Sequence, residues 1–152
     1  MEARAQIVLI DDDPSWLETL SDYLRSNGFA VLCATNAVHG LSLVREGNVA
    51  LVISDYHMPG MDGLELVSLL NRQHRDIAVL MLSSEEESRL HANAMAAGAR
   101  GFLAKSVRPR VLLRRIRQIV EAACQARGRA SMLRPWQRLL PSPEMIYRRR
   151  CS

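Results

Sequence analysis

The chain has 152 residues, 48% of them hydrophobic and 24% charged, which suffices for one domain with a buried core and no need of covalent staples. Its formal charge of +4 hides an asymmetry: residues 1–105 carry 8 basic and 14 acidic side chains, whereas residues 106–152 carry 12 arginines and 2 glutamates, so one end is chemically unlike the rest. Cys33, Cys124 and Cys151 form neither a CxxC metal pair nor a disulfide framework, the amino terminus lacks the apolar run of a signal peptide, and no apolar run reaches the length of a membrane span. A reduced, cytoplasmic setting is expected.

Ile7-Val8-Leu9-Ile10 is a short apolar run that ends in three aspartates, the pattern of a strand buried on both faces. Asp13-Pro14 opens a helix, with Asp as the cap and Pro at the first helical position. Trp16, Leu17, Leu20 and Leu24 follow at helical spacing, and Asn27-Gly28 stops the helix. Residues 29–34 read as a second strand and 36–46 as a second helix. Leu51 to Asp55 is a third strand, again ending in an acid. Asp62-Gly63-Leu64-Glu65 has the spacing of a capping box at the start of a third helix. Ile77 to Leu82 is a fourth strand, and Ser84 with Glu87 caps a fourth helix. Gly101-Phe102-Leu103-Ala104 is a fifth strand that ends at Lys105. Pro109 opens a fifth helix, with Leu112, Ile116, Ile119 and Ala123 on one face.

Five strands alternating with five helices predict an α/β fold, a doubly wound five-stranded parallel sheet covered on both faces. In such sheets the site lies at the carboxyl ends of the strands. The polar residues there are Asp11, Asp12, Asp13, Asp55, Ser83 and Lys105. Carboxylates this close need a cation or a proton to coexist. Oxygen ligands without histidine or thiolate suit Mg²⁺, with Mn²⁺ as a second fit. A carboxylate can attack phosphorus to give an acyl phosphate, and phosphoryl transfer chiefly needs positioning and neutralised charge. Lys105 is the single lysine against nineteen arginines, and it falls at a strand end beside the acids. Asp13, before Pro14, reads as a helix cap. Ser83 taken alone also fits an ordinary turn, and Ser84 fits a cap.

These residues carry a resemblance. Val8-Leu9-Ile10-Asp11-Asp12-Asp13-Pro14, Ser54 to Glu65 with its Met-Pro-Gly-Met-Asp-Gly loop, Val79 to Ser84 and Gly98 to Lys105 together resemble the receiver domain of two-component response regulators, over residues 6 to about 125. The resemblance implies a (βα)5 flavodoxin-like fold with strand order 2-1-3-4-5. It implies that Asp55 is the phosphoacceptor. Asp12, Asp55 and the backbone carbonyl of His57 would hold Mg²⁺ directly, and Asp11 through water. Ser83 would be the switch hydroxyl, Lys105 the partner of the phosphoryl group, and Phe102 the switch aromatic, although a plain core role fits Phe102 too. His57 and Glu85 would flank the path of the hydrolytic water. The partners implied are a sensor histidine kinase or histidine phosphotransfer protein and a downstream protein, with the chain a monomer or a phosphorylation-dependent dimer. It would be no enzyme beyond its own phosphorylation and dephosphorylation. Two departures stand out: Ser106 follows Lys105 where the family usually has proline, so a trans bond and a shifted loop are expected, and Arg108 takes a cap position that suits a small acceptor better.

Residues 1–126 are thus expected to form the receiver and residues 127–152 a basic tail rich in arginine and proline, too short for a helix-turn-helix output domain. Its composition fits a solvated tail. Arginines with interleaved aromatics can hold nucleic acid, but no recognition motif supports that. A competing reading makes Asp11 the nucleophile of a haloacid-dehalogenase-type phosphohydrolase; it leaves Asp55 and its loop unexplained. A third reading, a receiver fold used only for protein binding, leaves the acids, hydroxyl and lysine without a task.

Overall fold

A computed structural model describes residues 6–85 and 88–132 of the chain, from 128 onward by backbone alone. The elements alternate as expected: β1 (Gln6–Ile10), α1 (Pro14–Ser26), β2 (Ala30–Ala34), α2 (Ala37–Glu46), β3 (Val49–Asp55), α3 (Gly63–Gln73), β4 (Ala78–Ser83), α4 (Ser88–Ala97), β5 (Gly101–Ala104) and α5 (Pro109–Met132). All pairings are parallel, in the order β2-β1-β3-β4-β5. That is the doubly wound, flavodoxin-like order.

Every residue of β3 and β4 is buried, as sheet strands covered on both faces require. Alternate side chains feed two apolar layers. Ile7, Leu9, Leu51, Ile53, Leu80 and Leu82 pack with Leu17, Leu20 and Leu24 of α1 and Leu112, Ile116 and Ile119 of α5. Val8, Ile10, Val52, Val79 and Met81 face the other way, against α2, α3 and α4 through Leu41, Leu66, Val67, Leu70 and Leu90. The site edge is thereby mounted on fully packed strands.

The helix starts follow their caps. Asp13 accepts from the Ser15 and Trp16 N–H groups, Asn36 from His39 at 2.8 Å, and Asp62 from Glu65 at 2.9 Å. Gly28 ends α1 with φ +97°, a left-handed conformation that favours glycine. Boundaries differ by one or two residues. Val49 and Ala50 join β3 ahead of Leu51, Ser83 belongs to β4, and Phe29 and Ile77 stand outside their strands. The pairing of Ser84 with Glu87 falls on residues 86–87, outside the described residues.

The last helix runs to Met132, past the 126/127 boundary drawn from composition. Arg127 fastens it to the far edge of the sheet: its Nη2 donates to the carbonyls of Val49 at 2.7 Å and Asp76 at 3.1 Å and lies 3.6 Å from the Asp76 carboxylate. The tail from 133 onward lies outside the described residues. Cys33 is free, whereas Cys124 is disulfide-bonded, which corrects the expectation of cysteines without a disulfide. No helix among the described residues is long and apolar enough to cross a membrane.

Candidate functional site

Two adjacent strand ends deliver the acids. β1 ends at Ile10, and the Asp11 N–H donates to the Ala34 carbonyl at 3.2 Å, which carries the β1–β2 ladder one step further and holds Asp11 at the sheet edge. Asp55 is the last residue of β3, and the next N–H, of Tyr56, donates to the Leu82 carbonyl at 2.9 Å. Asp11 and Asp55 are buried, while Asp12 faces solvent. One carboxylate oxygen from each of Asp11, Asp12 and Asp55 lies within 4.8 Å of the others.

The loop after Asp55 folds back on itself. Gly60 has φ +78°, and the Gly63 N–H donates to the Tyr56 carbonyl at 3.0 Å. A Cβ on Gly63 would collide with the Asp55 carbonyl oxygen and the Met81 methyl. Glycine therefore lets the start of α3 rest directly on the backbone that carries Asp55.

Lys105 reaches in from the end of β5. Its N–H donates to the Ser83 carbonyl at 2.8 Å, and its Nζ lies 2.5 Å from Asp11 Oδ2 and 3.4 Å from Asp55 Oδ2. Burial and the nearby Asp11 charge push the Asp55 carboxyl above its ordinary range, against the opposing pull of Lys105. For Lys105, burial acts to lower the pKa, but its hydrogen bond to Asp11 and the charges of Asp11 and Asp55 outweigh that and raise it. Charge is thus the dominant quantity here: two buried carboxylates share one ammonium, and a third carboxylate is open to solvent. A hard divalent cation fits this all-oxygen set. Asp12 and Asp55 can offer it carboxylate oxygens. Asp11, with Oδ1 accepting from the Asp13 N–H at 2.9 Å and Oδ2 on Lys105, is the most fully engaged of the three.

The other predicted residues take distinct places. Ser83 is fully buried at the end of β4, and its Oγ accepts from the Glu85 N–H at 3.1 Å, so the hydroxyl currently caps its own turn. His57 and Glu85 are both exposed and face each other, Nε2 to Oε2 3.8 Å. Phe102 is half-buried, edge-on to Tyr56 at 6.2 Å and stacked on His91 of α4 at 5.5 Å with 9° between planes. Asp13 is the cap it was read to be. No peptide bond among the described residues is cis, the Lys105–Ser106 bond included, as its lack of proline led one to expect.

One participant was missed. Trp16, read only as part of the apolar face of α1, holds its ring 5.3 Å from Lys105 Nζ. The available signal was its place in the first helical turn, just after the acids.

Residues 7–117 match the response regulator receiver domain. The chain belongs to that family. Among curated relatives, the receiver is 33% identical over 131 residues to the response regulator protein TodT of Pseudomonas putida, an alignment that covers 86% of this chain and 58% of TodT. The chain spans between 15% and 58% of the length of the curated relatives it matches. Among solved structures, a CheY-like receiver domain protein from Methanospirillum hungatei superposes with a TM-score of 0.77 over 82% of this chain and 99% of that one; at 24% identity it speaks for the fold. The response regulator TrrA of Thermotoga maritima, solved with Mg²⁺ and BeF, is 27% identical, with a TM-score of 0.70 and coverage of 76% and 98%.

Proposed function

We propose that this receiver accepts a phosphoryl group on Asp55 from a histidine kinase or histidine phosphotransfer protein, in a Mg²⁺-dependent reaction, and changes its surface to control a downstream protein. The observation that carries the reading is the meeting of Asp55, Asp11, Asp12 and Lys105 at one sheet edge, with the Asp55 carboxylate 3.4 Å from the chain's single lysine. A relative solved with Mg²⁺ and BeF supports it.

One oxygen of the Asp55 carboxylate attacks phosphorus, forming an oxygen–phosphorus bond as the bond from phosphorus to the donor's histidine nitrogen breaks, and that nitrogen keeps the electron pair. Asp12, Asp55 and the His57 carbonyl would hold Mg²⁺, with Asp11 behind an intervening water; the ion, when bound, neutralises the charge on the phosphoryl oxygens. Lys105 supplies a second positive charge, and it need only shift from Asp11 toward the new oxygens. Ser83 would leave the Glu85 N–H and donate to the phosphoryl group, and Phe102 would follow by breaking its stack on His91. Two such arrangements are a switch only because the phosphoryl group binds them unequally. His57 and Glu85, both polar, would leave the path of the hydrolytic water open. A cytoplasmic location and action by protein contact, as monomer or phosphorylation-dependent dimer, complete the reading. Nucleic acid is a lesser candidate partner, through the arginines of residues 127–152.

The test is intact mass after incubation with acetyl phosphate. With Mg²⁺ the protein should gain one phosphoryl group that base and hydroxylamine remove, and EDTA should prevent the gain. A gain that survives hydroxylamine, or that proceeds equally in EDTA, contradicts the proposal.

A further inference from the structure

Trp16 occupies a place at the site that no part of the phosphotransfer scheme uses. It is the third residue of α1, and its position is fixed twice over. Pro14 stands at the first helical position, and the Asp13 carboxylate accepts from both Ser15 N–H at 3.0 Å and Trp16 N–H at 3.4 Å. The indole packs against the apolar layer between α1, α5 and the sheet. It also borders, with Asp11 and Asp55, a small cavity of about 10 Å³.

From there its face meets Lys105 Nζ at 5.3 Å, inside the range of a cation–π contact. Lys105 needs such a wall. Its stem has four rotatable carbons, and long ammonium side chains at a surface turn toward water. Yet its side chain is only 19% exposed. Asp11 and Asp55 draw the ammonium inward, but both are also candidates for holding a divalent cation, which would compete for their charge. Among the described residues, the indole face is the one partner of the ammonium that such a cation does not engage.

We propose that Trp16 is a positioning residue for Lys105: its ring keeps the ammonium aimed at Asp55 while the carboxylates around it change partners. The idea rests on the reading of Lys105 as the partner of the phosphoryl group. The ring attracts without offering a competing hydrogen-bond acceptor, so Lys105 slides between Asp11 and Asp55 at little cost and does not leave for solvent.

Because Lys105 is the only lysine, its side-chain resonances identify themselves in a protein labelled at lysine. In metal-free wild type, the protons beside Nζ should lie upfield of their free-lysine position, shifted by the indole ring current. Trp16→Phe should keep part of that shift, and Trp16→Leu should lose it. Free-lysine shifts in wild type would overturn the proposal, whatever the phosphorylation chemistry proves to be. The second arm is the rate of phosphorylation by saturating acetyl phosphate. Trp16→Leu should slow it about three- to tenfold with Mg²⁺ affinity unchanged, Trp16→Phe should restore much of the loss, and Trp16→Leu should add no loss in a Lys105→Met background. Equal slowing in both backgrounds, or a weakened Mg²⁺ affinity, would make Trp16 an ordinary packing residue and overturn the proposal. A wild type that takes up no phosphoryl group fails the functional reading instead, and the lysine spectrum still decides whether Trp16 holds Lys105.

Discussion

Asp55 sits where its own charge is costly. Burial and Asp11 hold its pKa above the ordinary 3.8, so the folded protein retains a proton that the unfolded chain has already released. The sign follows from linkage: from pH 3.8 upward the folded state binds more protons, and stability falls as pH rises through the raised value, leaving a constant deficit beyond it. Asp55→Asn should therefore unfold at a higher urea midpoint than wild type at neutral pH without metal. The gap should close as the pH falls toward that of a normal carboxylate, and Mg²⁺ should narrow it by stabilising wild type alone. An Asp55→Asn midpoint at or below that of wild type at pH 7 would refute the electrostatic account. The three leading aspartates separate by the same logic. Asp13 is committed to the α1 cap and Asp11 to Lys105 and the Asp13 N–H, which leaves Asp12 as the solvent-facing candidate ligand. Asp12→Ala should weaken Mg²⁺ tenfold or more, the scale of losing a well-placed metal partner, and Asp13→Ala hardly at all. Equal losses in titrations of Asp11→Ala, Asp12→Ala and Asp13→Ala would undo that ranking.

At the scale of elements, the sequence was most readable where backbone chemistry leaves few choices. Asp13-Pro14, Asp62 three residues before Glu65, and Asn27-Gly28 each mark a helix end because a cap, a fixed φ or a left-handed residue is needed there. The apolar runs of β1, β3 and β4 declared themselves because a doubly covered strand has no polar face to break the run. The edges were less readable. Val49 pairs with Gln6 and Ala50 falls at the register shift that follows, whereas the expected strand began only at Leu51, even though Gly47-Asn48 marks the turn before Val49. Gly63 could be read as part of a capping box, but not as the point where α3 touches the Asp55 backbone, because that needs the third dimension. Gly63→Ala should cost about 1–3 kcal/mol as an overpacked contact, read from urea unfolding, and should also slow phosphorylation by shifting Asp55. A neutral result would mean that the loop yields freely and that the glycine serves only the turn.

Across the whole molecule, topology gathers Asp11, Asp12, Asp55, Ser83 and Lys105 from four strand ends, and the alternation of strands and helices was enough to anticipate it. What no single sequence exposes is which way each side chain turns. Ser83 now caps Glu85, Phe102 lies on His91, Lys105 lies under Trp16, and Arg127 ties a helix, extended beyond its expected end, to Val49 and Asp76. On the proposed reading the first two of these contacts would break on phosphorylation, and α4, β5 and α5 would be the output face. Ser83→Ala should still accept the phosphoryl group, but its amide shifts along α4, β5 and α5 on phosphorylation should be smaller than in wild type. Shifts of equal size would disconnect Ser83 from the response.

The central claim is that the carboxylate of Asp55, and no other, carries the phosphoryl group. The most direct measurement is acetyl phosphate labelling with Mg²⁺ followed by intact mass, for wild type, Asp55→Asn and Asp11→Asn side by side. The account predicts one phosphoryl group on wild type, none on Asp55→Asn, and one, acquired more slowly, on Asp11→Asn. Normal labelling of Asp55→Asn with loss in Asp11→Asn would contradict it and restore Asp11 as the nucleophile.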